Sequence, residues 1–116
     1  MIKEMQKETN LELVRQHVSV ANGLPNEHYI DQSVFDEERS SILFNQWAGL
    51  DVCSEVPEIG DSKPINFMGL PLFIIRDTKN IVRVFQNTCR HRGMILVEKT
   101  KKIQGAIRCP YHSWCY

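Results

Sequence analysis

The sequence predicts a mainly β protein, an antiparallel sheet preceded by N-terminal α-helices. Three observations point there. Apolar residues recur with a helical period up to about residue 47 and with a period of two or in short apolar runs from about residue 48. The runs are separated by segments of hairpin length and turn chemistry. At 116 residues the chain suffices for one modest core.

Thr9-Asn10-Leu11-Glu12 fits a capping box, and Leu11, Val14, Val18 and Ala21 then fall on one helical face. Asn22-Gly23 and Pro25 end this helix. A second helix is expected across Asp36 to Trp47, with Asp36, Glu37 and Glu38 in a first turn that favours acidic side chains. Ala48, Leu50 and Val52 then alternate as a strand would. Three apolar runs follow: Ile65–Met68, Leu72–Ile75 and Ile81–Phe85. Gly69-Leu70-Pro71 and Asp77-Thr78-Lys79-Asn80 separate them as turns. Ile103 to Arg108 reads as a further strand, and Trp114-Cys115-Tyr116 begins another. The expected domains are therefore a helical segment, 1–47, and a β domain, 48–116.

Composition excludes some classes. No apolar run approaches the ~20 residues that span a membrane, and "MIKEMQKETNLELV" lacks a signal peptide's apolar centre. The expectation is a cytoplasmic protein with neither a membrane nor a nucleic acid as partner. Formal net charge is zero, yet residues 26–62 carry one basic and nine acidic side chains, and residues 63–116 ten basic and two acidic. That division suits two solvated faces, or a basic half around a site that gains negative charge.

The chemistry concentrates near the C-terminus, in Cys89-Arg90-His91 and Cys109-Pro110-Tyr111-His112. Four cysteines in a chain read as cytosolic argue for metal or catalysis over a disulfide framework. Cys53 and Cys115 lack close histidines and are expected to be small buried hydrophobes. His17 and His28 are expected to be structural or solvent-exposed. The two Cys/His pairs make a Cys2His2 set, open to a tetrahedral zinc or to a two-iron, two-sulfide cluster with Cys on one iron and His on the other. Each loop carries one ligand of each kind, whereas zinc fingers keep Cys with Cys and His with His. The mixed loops favour the dinuclear cluster. Two thiolates and two neutral imidazoles bring a +2 core to zero charge, against −2 for four thiolates. That difference lies behind potentials of roughly −150 to +300 mV, against about −400 mV for an all-Cys plant-type cluster. Gly93 and Gly105 suit tight turns beside the pairs, and Pro110 stiffens the second. Arg90 and Arg92 would favour the reduced cluster, and Tyr111 and Trp114 could shield it from water.

"CRHRG" followed by "CPYHSWCY", with seventeen residues from Arg92 to Arg108 between the pairs, resembles the Rieske motif. The Arg-His-Arg-Gly run is similar to the version in α subunits of Rieske non-heme iron oxygenases of the aromatic-ring-hydroxylating type, and "GLPLFIIRDTKNIVRVFQNTCRHRG" resembles the strands leading into it. The resemblance covers roughly residues 55–116. Rieske proteins of cytochrome bc-type complexes carry a further cysteine in each loop, where this chain has Met94 and Tyr111. One departure is Ser113, where the family usually has Gly in a His-Gly-Trp sequence.

The resemblance implies a Rieske-type antiparallel β-sandwich or barrel, C-terminally truncated here. It implies a [2Fe-2S] cluster held by Cys89, His91, Cys109 and His112, with Arg90, Arg92 and Trp114 around it. It implies an oxidoreductase parent, a mono- or dioxygenase that hydroxylates or demethylates an organic substrate. Mononuclear Fe(II), held by two His and a carboxylate, is expected in a domain missing from this chain, so the chain alone is not expected to be catalytic. A reductase or ferredoxin would donate electrons, and the parent would be a homo-oligomer, a trimer. A stand-alone ferredoxin-like carrier and a structural zinc module are the alternatives.

Overall fold

The computed structural model describes residues 11–116; Thr9 and Asn10 of the expected capping box lie outside them. The chain forms two compact units, 1–48 and 49–116.

In the first unit, α1 spans Glu27–Ile30 and α2 spans Gln32–Glu38. Asp31 separates them and starts α2 by accepting a 2.7 Å hydrogen bond from the Ser33 N–H. The second helix thus begins earlier than Asp36. It widens into a π turn over Arg39–Leu43, closed by Phe44 N–H to Arg39 C=O at 3.1 Å. Ser40 and Ser41 both donate their hydroxyls to the Glu37 carbonyl, drawing off an acceptor the α ladder would use. The helix expected from Leu11 to Ala21 is also shorter. Between Leu11 and Ala21 only Leu11 and Glu12 are helical, and turns follow. His17 Nδ1 sits 2.8 Å from Ser19 Oγ, a local bond that competes with the helix, and Val18 is fully solvated.

The second unit is an antiparallel sheet of β1 (Asp61–Phe67), β2 (Leu70–Arg76), β3 (Val82–Gln86) and β4 (Lys101–Lys102), in the order β3-β2-β1-β4. The mainly β, antiparallel class is therefore the one observed. β2 is central, and Leu72, Phe73 and Ile74 are all buried, which is why its apolar run is continuous rather than alternating. Pro64 stands in β1 beyond the reach of β4, which pairs only with Asp61 and Ser62, and an edge tolerates a missing N–H.

The β1–β2 turn is tighter than expected. Phe67 pairs with Leu70, so only Met68 and Gly69 form it, both at positive φ (52° and 88°), while Leu70 and Pro71 join β2. The β2–β3 turn is organised by Asp77, whose Oδ1 accepts from the N–H groups of Lys79 and Ile81 at 2.9 Å each. The stretch Ala48–Val52 is not a strand; a 3-10 turn at Cys53–Glu55 follows it. Arg76 holds that turn from β2, with Nη2 3.0 Å from the Cys53 carbonyl and Nε 2.6 Å from that of Val56. Cys53 is exposed there, not buried. The strand expected over Ile103–Arg108 is also absent. β4 ends at Lys102, and Gly60 takes the next backbone contact. Gly60 C=O accepts from Ile103 N–H at 2.8 Å, and a Cβ on Gly60 would stand 2.5 Å from the Ile103 oxygen.

The core of this unit is Phe73, Leu96 and Val97 together with Cys89 and Cys109, flanked by Ile75, Ile103 and Ile107. Two of the four candidate ligands are thus part of the hydrophobic core.

Candidate metal centre

Two loops of one design leave that core. In the first, Cys89 N–H donates to Met94 C=O (2.7 Å) and Gly93 N–H to Cys89 C=O (2.9 Å). In the second, Cys109 N–H donates to Trp114 C=O (2.8 Å) and Ser113 N–H to Cys109 C=O (3.0 Å). Each loop is therefore six residues long, opened by a cysteine, with a residue at positive φ in fifth place, Gly93 at 73° and Ser113 at 58°. The departure at Ser113 falls on the one loop position that demands left-handed backbone. Serine adopts it there at a cost of about 1–2 kcal/mol relative to its favoured conformations.

The first loop is pinned from below by Asn87, only 2% exposed. Its Nδ2 donates to Val97 C=O at 2.7 Å, and its Oδ1 accepts from Leu96 N–H at 3.0 Å and Val97 N–H at 2.8 Å. The chain entering the loop is thereby tied to the chain leaving it. The second loop is the tip of a small hairpin. Ile107 and Tyr116 exchange two backbone hydrogen bonds of 2.9 Å, and Arg108 faces Cys115. Alternation along this hairpin puts Trp114 and Tyr116 on one side and Cys115 on the other. Cys115 is accordingly exposed, contrary to expectation.

The four expected ligands are brought together, as two pairs. Cys89 and Cys109, each 2% exposed and neither in a disulfide, lie side by side in the core. His91 and His112 lie at the exposed end, with their Nδ1 atoms 3.2 Å apart and their rings edge to face. Among the described residues no three His, Cys, Asp or Glu gather around a single point. His17 and His28 belong to the other unit.

The donor set fits a dinuclear group. Two imidazole nitrogens on one tetrahedral first-row metal, at the ~2.0–2.1 Å of zinc–imidazole bonds, would stand roughly 3.3 Å apart. The Nδ1 pair has nearly that separation. The thiols at the buried end offer soft anionic ligands to a second metal. Cys89 is already disposed to ionise: the Tyr116 hydroxyl, 3.1 Å from its Sγ, holds the thiol below its ordinary value, with help from the backbone N–H groups of His91 and Arg92. The same contact raises the Tyr116 phenol above its ordinary value, so the pair favours thiolate beside neutral phenol.

Aromatic rings flank both imidazoles. Trp114 stacks on His91 with centroids 5.0 Å apart and planes 3° from parallel, and Tyr111 lies 3.8 Å from His112. Arg90 contributes its backbone N–H to the Tyr116 hydroxyl at 3.0 Å. The side chains of Arg90 and Arg92 make no ion pair among the described residues. Lys63, Arg83, Lys102 and Arg39, by contrast, are paired with carboxylates. Sequence reasoning missed Asn87 and Tyr116. A lone Asn at a strand end carries no distinctive signal. Tyr116 is found only through the hairpin register that sets it against Cys89.

The model of the Rieske [2Fe-2S] domain matches residues 46–116. This chain belongs to the Rieske [2Fe-2S] domain family. The relatives of this Rieske domain include the α subunit of 2-aminobenzenesulfonate 2,3-dioxygenase from an Alcaligenes species, 33% identical over 101 residues, covering 87% of this chain and 26% of that protein. Another is the oxygenase subunit of carnitine monooxygenase from Escherichia coli K12, 29% identical over 93 residues, 80% of this chain and 25% of that protein. Among solved structures, naphthalene 1,2-dioxygenase from a Rhodococcus species superposes on 96% of this chain and 25% of its own, with a TM-score of 0.80 at 30% identity. The chain spans about a quarter of the length of the relatives it matches. Among the described residues no helix is long and apolar enough to cross a membrane.

Proposed function

We propose that residues 49–116 carry a Rieske [2Fe-2S] cluster, with Cys89 and Cys109 as thiolate ligands at the buried end and His91 and His112 as Nδ1 ligands at the exposed end. The observation that carries this is the segregation of the donors into a buried thiol pair and an exposed imidazole pair with Nδ1 atoms 3.2 Å apart. Bound there, the cluster supplies one-electron acceptance and donation at a potential raised by its imidazole ligands. The protein does the rest. The two six-residue loops hold the ligands from their backbones. Phe73, Leu96 and Val97 keep water from the thiols. The Tyr116 hydroxyl donates to Cys89 Sγ and stabilises negative charge on it. The imidazoles face outward, where an electron partner can approach.

In the parent protein this domain receives electrons from a reductase or ferredoxin. A mononuclear iron in a further domain would take up these electrons and supply the O2 chemistry that hydroxylates or demethylates an organic substrate. The relatives support this, since they are oxygenase subunits acting on an aminobenzenesulfonate and on carnitine. They span both aromatic acids and quaternary amines, and the proposal includes both classes. A homotrimeric parent and a cytoplasmic setting, where the four free thiols stay reduced, complete it.

The test is metal and sulfide analysis of the chain purified or reconstituted without oxygen, with absorption and electron paramagnetic resonance spectra. Two irons and two acid-labile sulfides per chain, reducible by one electron, are expected. One colourless zinc per chain would overturn the assignment.

A further inference from the structure

The two loops share one backbone frame, but their histidines do not share a position in it. His91 is the third residue of the first loop and His112 the fourth residue of the second. The position of His91 is filled in the second loop by Tyr111, whose ring covers His112. His91 receives no such cover from its own loop, where its neighbours are Arg90 and Arg92. Its flat partner comes from the other loop: the Trp114 indole lies parallel to the His91 ring, within 3°, at 5.0 Å between centroids. This is the separation and orientation of an offset stack. The backbone of Trp114 is meanwhile tied to the second loop, since its carbonyl closes that loop on Cys109 N–H. One residue therefore fastens the second loop's main chain and reaches across to the first loop's imidazole.

The matching position in the first loop is Met94, whose carbonyl makes the same closing bond to Cys89 N–H. The loop frame thus accepts an unbranched aliphatic side chain there. What Trp114 adds over Met94 is the ring. Without it, the His91 ring keeps only its edge contact with His112, which leaves its second side-chain torsion, soft in histidine, freer to turn. Its Nδ1 would then face that of His112 only part of the time.

We propose that Trp114 is a positioning residue for His91. Its stacked indole holds the His91 ring in the orientation that presents Nδ1 beside His112 Nδ1, and so couples the two loops at the metal-binding end. This rests on the assignment of His91 as a cluster ligand.

The test compares Trp114→Met with Trp114→Phe in the full chain. The methionine variant copies the residue the frame already holds at Met94 and should fold, as circular dichroism would report. In the metal-free chain, the His91 ring protons of the wild type should resonate upfield, shielded by the indole. Trp114→Met should release them, and Trp114→Phe should keep most of the shielding. In the loaded chain, Trp114→Met should lose iron to a chelator roughly two- to tenfold faster, the factor a stacked aromatic pair supplies. Its reduced-state paramagnetic resonance spectrum should broaden as the His91 orientation spreads. Trp114→Phe should recover both. If Trp114→Met keeps the wild-type His91 resonances, iron-loss rate and spectrum, the inference is overturned while the ligand assignment stands. A wild-type chain that takes up no iron overturns the ligand assignment, and this inference with it. Should Trp114→Met fail to fold, Trp114→Phe decides: retained His91 shielding with wild-type iron loss supports the role, and lost shielding without effect on iron refutes it.

Discussion

Asn87→Ala should be far more damaging than a polar-to-alanine change in a loop ordinarily is. Asn87 is 2% exposed, and its partners Leu96 and Val97 are 5% and 0% exposed. Truncation to alanine deletes one donor and one acceptor. It strands three backbone groups, the Leu96 and Val97 N–H and the Val97 carbonyl, whose partner distances are 3.0, 2.8 and 2.7 Å. A buried polar group left without a partner costs about 1–3 kcal/mol. With some relaxation and water entry, the whole change should cost about 3–6 kcal/mol, a large part of the ~5–15 kcal/mol that stabilises a typical domain. The same bonds join the two ends of the loop bearing Cys89 and His91, so iron retention should fall with stability. Urea denaturation followed by circular dichroism measures the loss, with an unchanged m-value showing that the unfolding reaction is the same one. A loss below about 1 kcal/mol at unchanged m, with normal iron content, would refute the view that Asn87 is the anchor of this loop.

Three further changes probe the site and the sheet. His91→Cys or His112→Cys should replace a neutral ligand by an anionic one and lower the reduction potential toward the all-Cys range of about −400 mV, or prevent assembly; redox titration and iron content would show either, and no change in both would remove these residues from the ligand set. Ser113→Gly should stabilise the chain by up to about 1 kcal/mol, because φ of 58° strains serine and not glycine, the gain being trimmed by glycine's greater chain entropy; thermal melts of the pair test it. Asp77 is held below its ordinary value of 3.8 first by Arg83 and then by the Ile81 and Lys79 N–H groups. A lowered carboxyl stabilises the fold above its unfolded-state value and loses that contribution as pH falls through the lowered one. The stability gap between wild type and Asp77→Asn should therefore be full above pH 3.8, narrow below it and vanish in strong acid; a gap constant across that window in a pH series of urea melts would exclude the carboxylate as its cause.

What the sequence determined by itself is local. Three apolar runs gave the three longer strands, because in-plane hydrogen bonding and side-chain alternation are read residue by residue. The Cys-x-His and Cys-x-x-His spacings announced the metal chemistry, because a ligand set is written in residue types. Positions whose fate depends on a partner distant in the chain were not legible. Cys53 and Cys115 looked like small core residues, but Arg76 holds one turn at the surface and the hairpin alternation turns the other outward. Ile103 to Arg108 had the composition of a strand, yet β1 offers a pairing edge only to Lys101 and Lys102 before Gly60 takes over. The helix from Leu11 looked amphipathic, but a local His17–Ser19 bond outweighs a periodicity with little to bury against. At the site, the four candidate ligands stood in the sequence as two mixed pairs. The residue types already suggested sorting thiol with thiol and imidazole with imidazole; the tertiary structure alone put one pair in the core and the other at the surface, and brought Tyr116 to one thiol and Trp114 to one imidazole. Spacing along a chain says which residues travel together; which of them meet is decided by the register between two loops, and that register is set by the core and the hairpin beneath them.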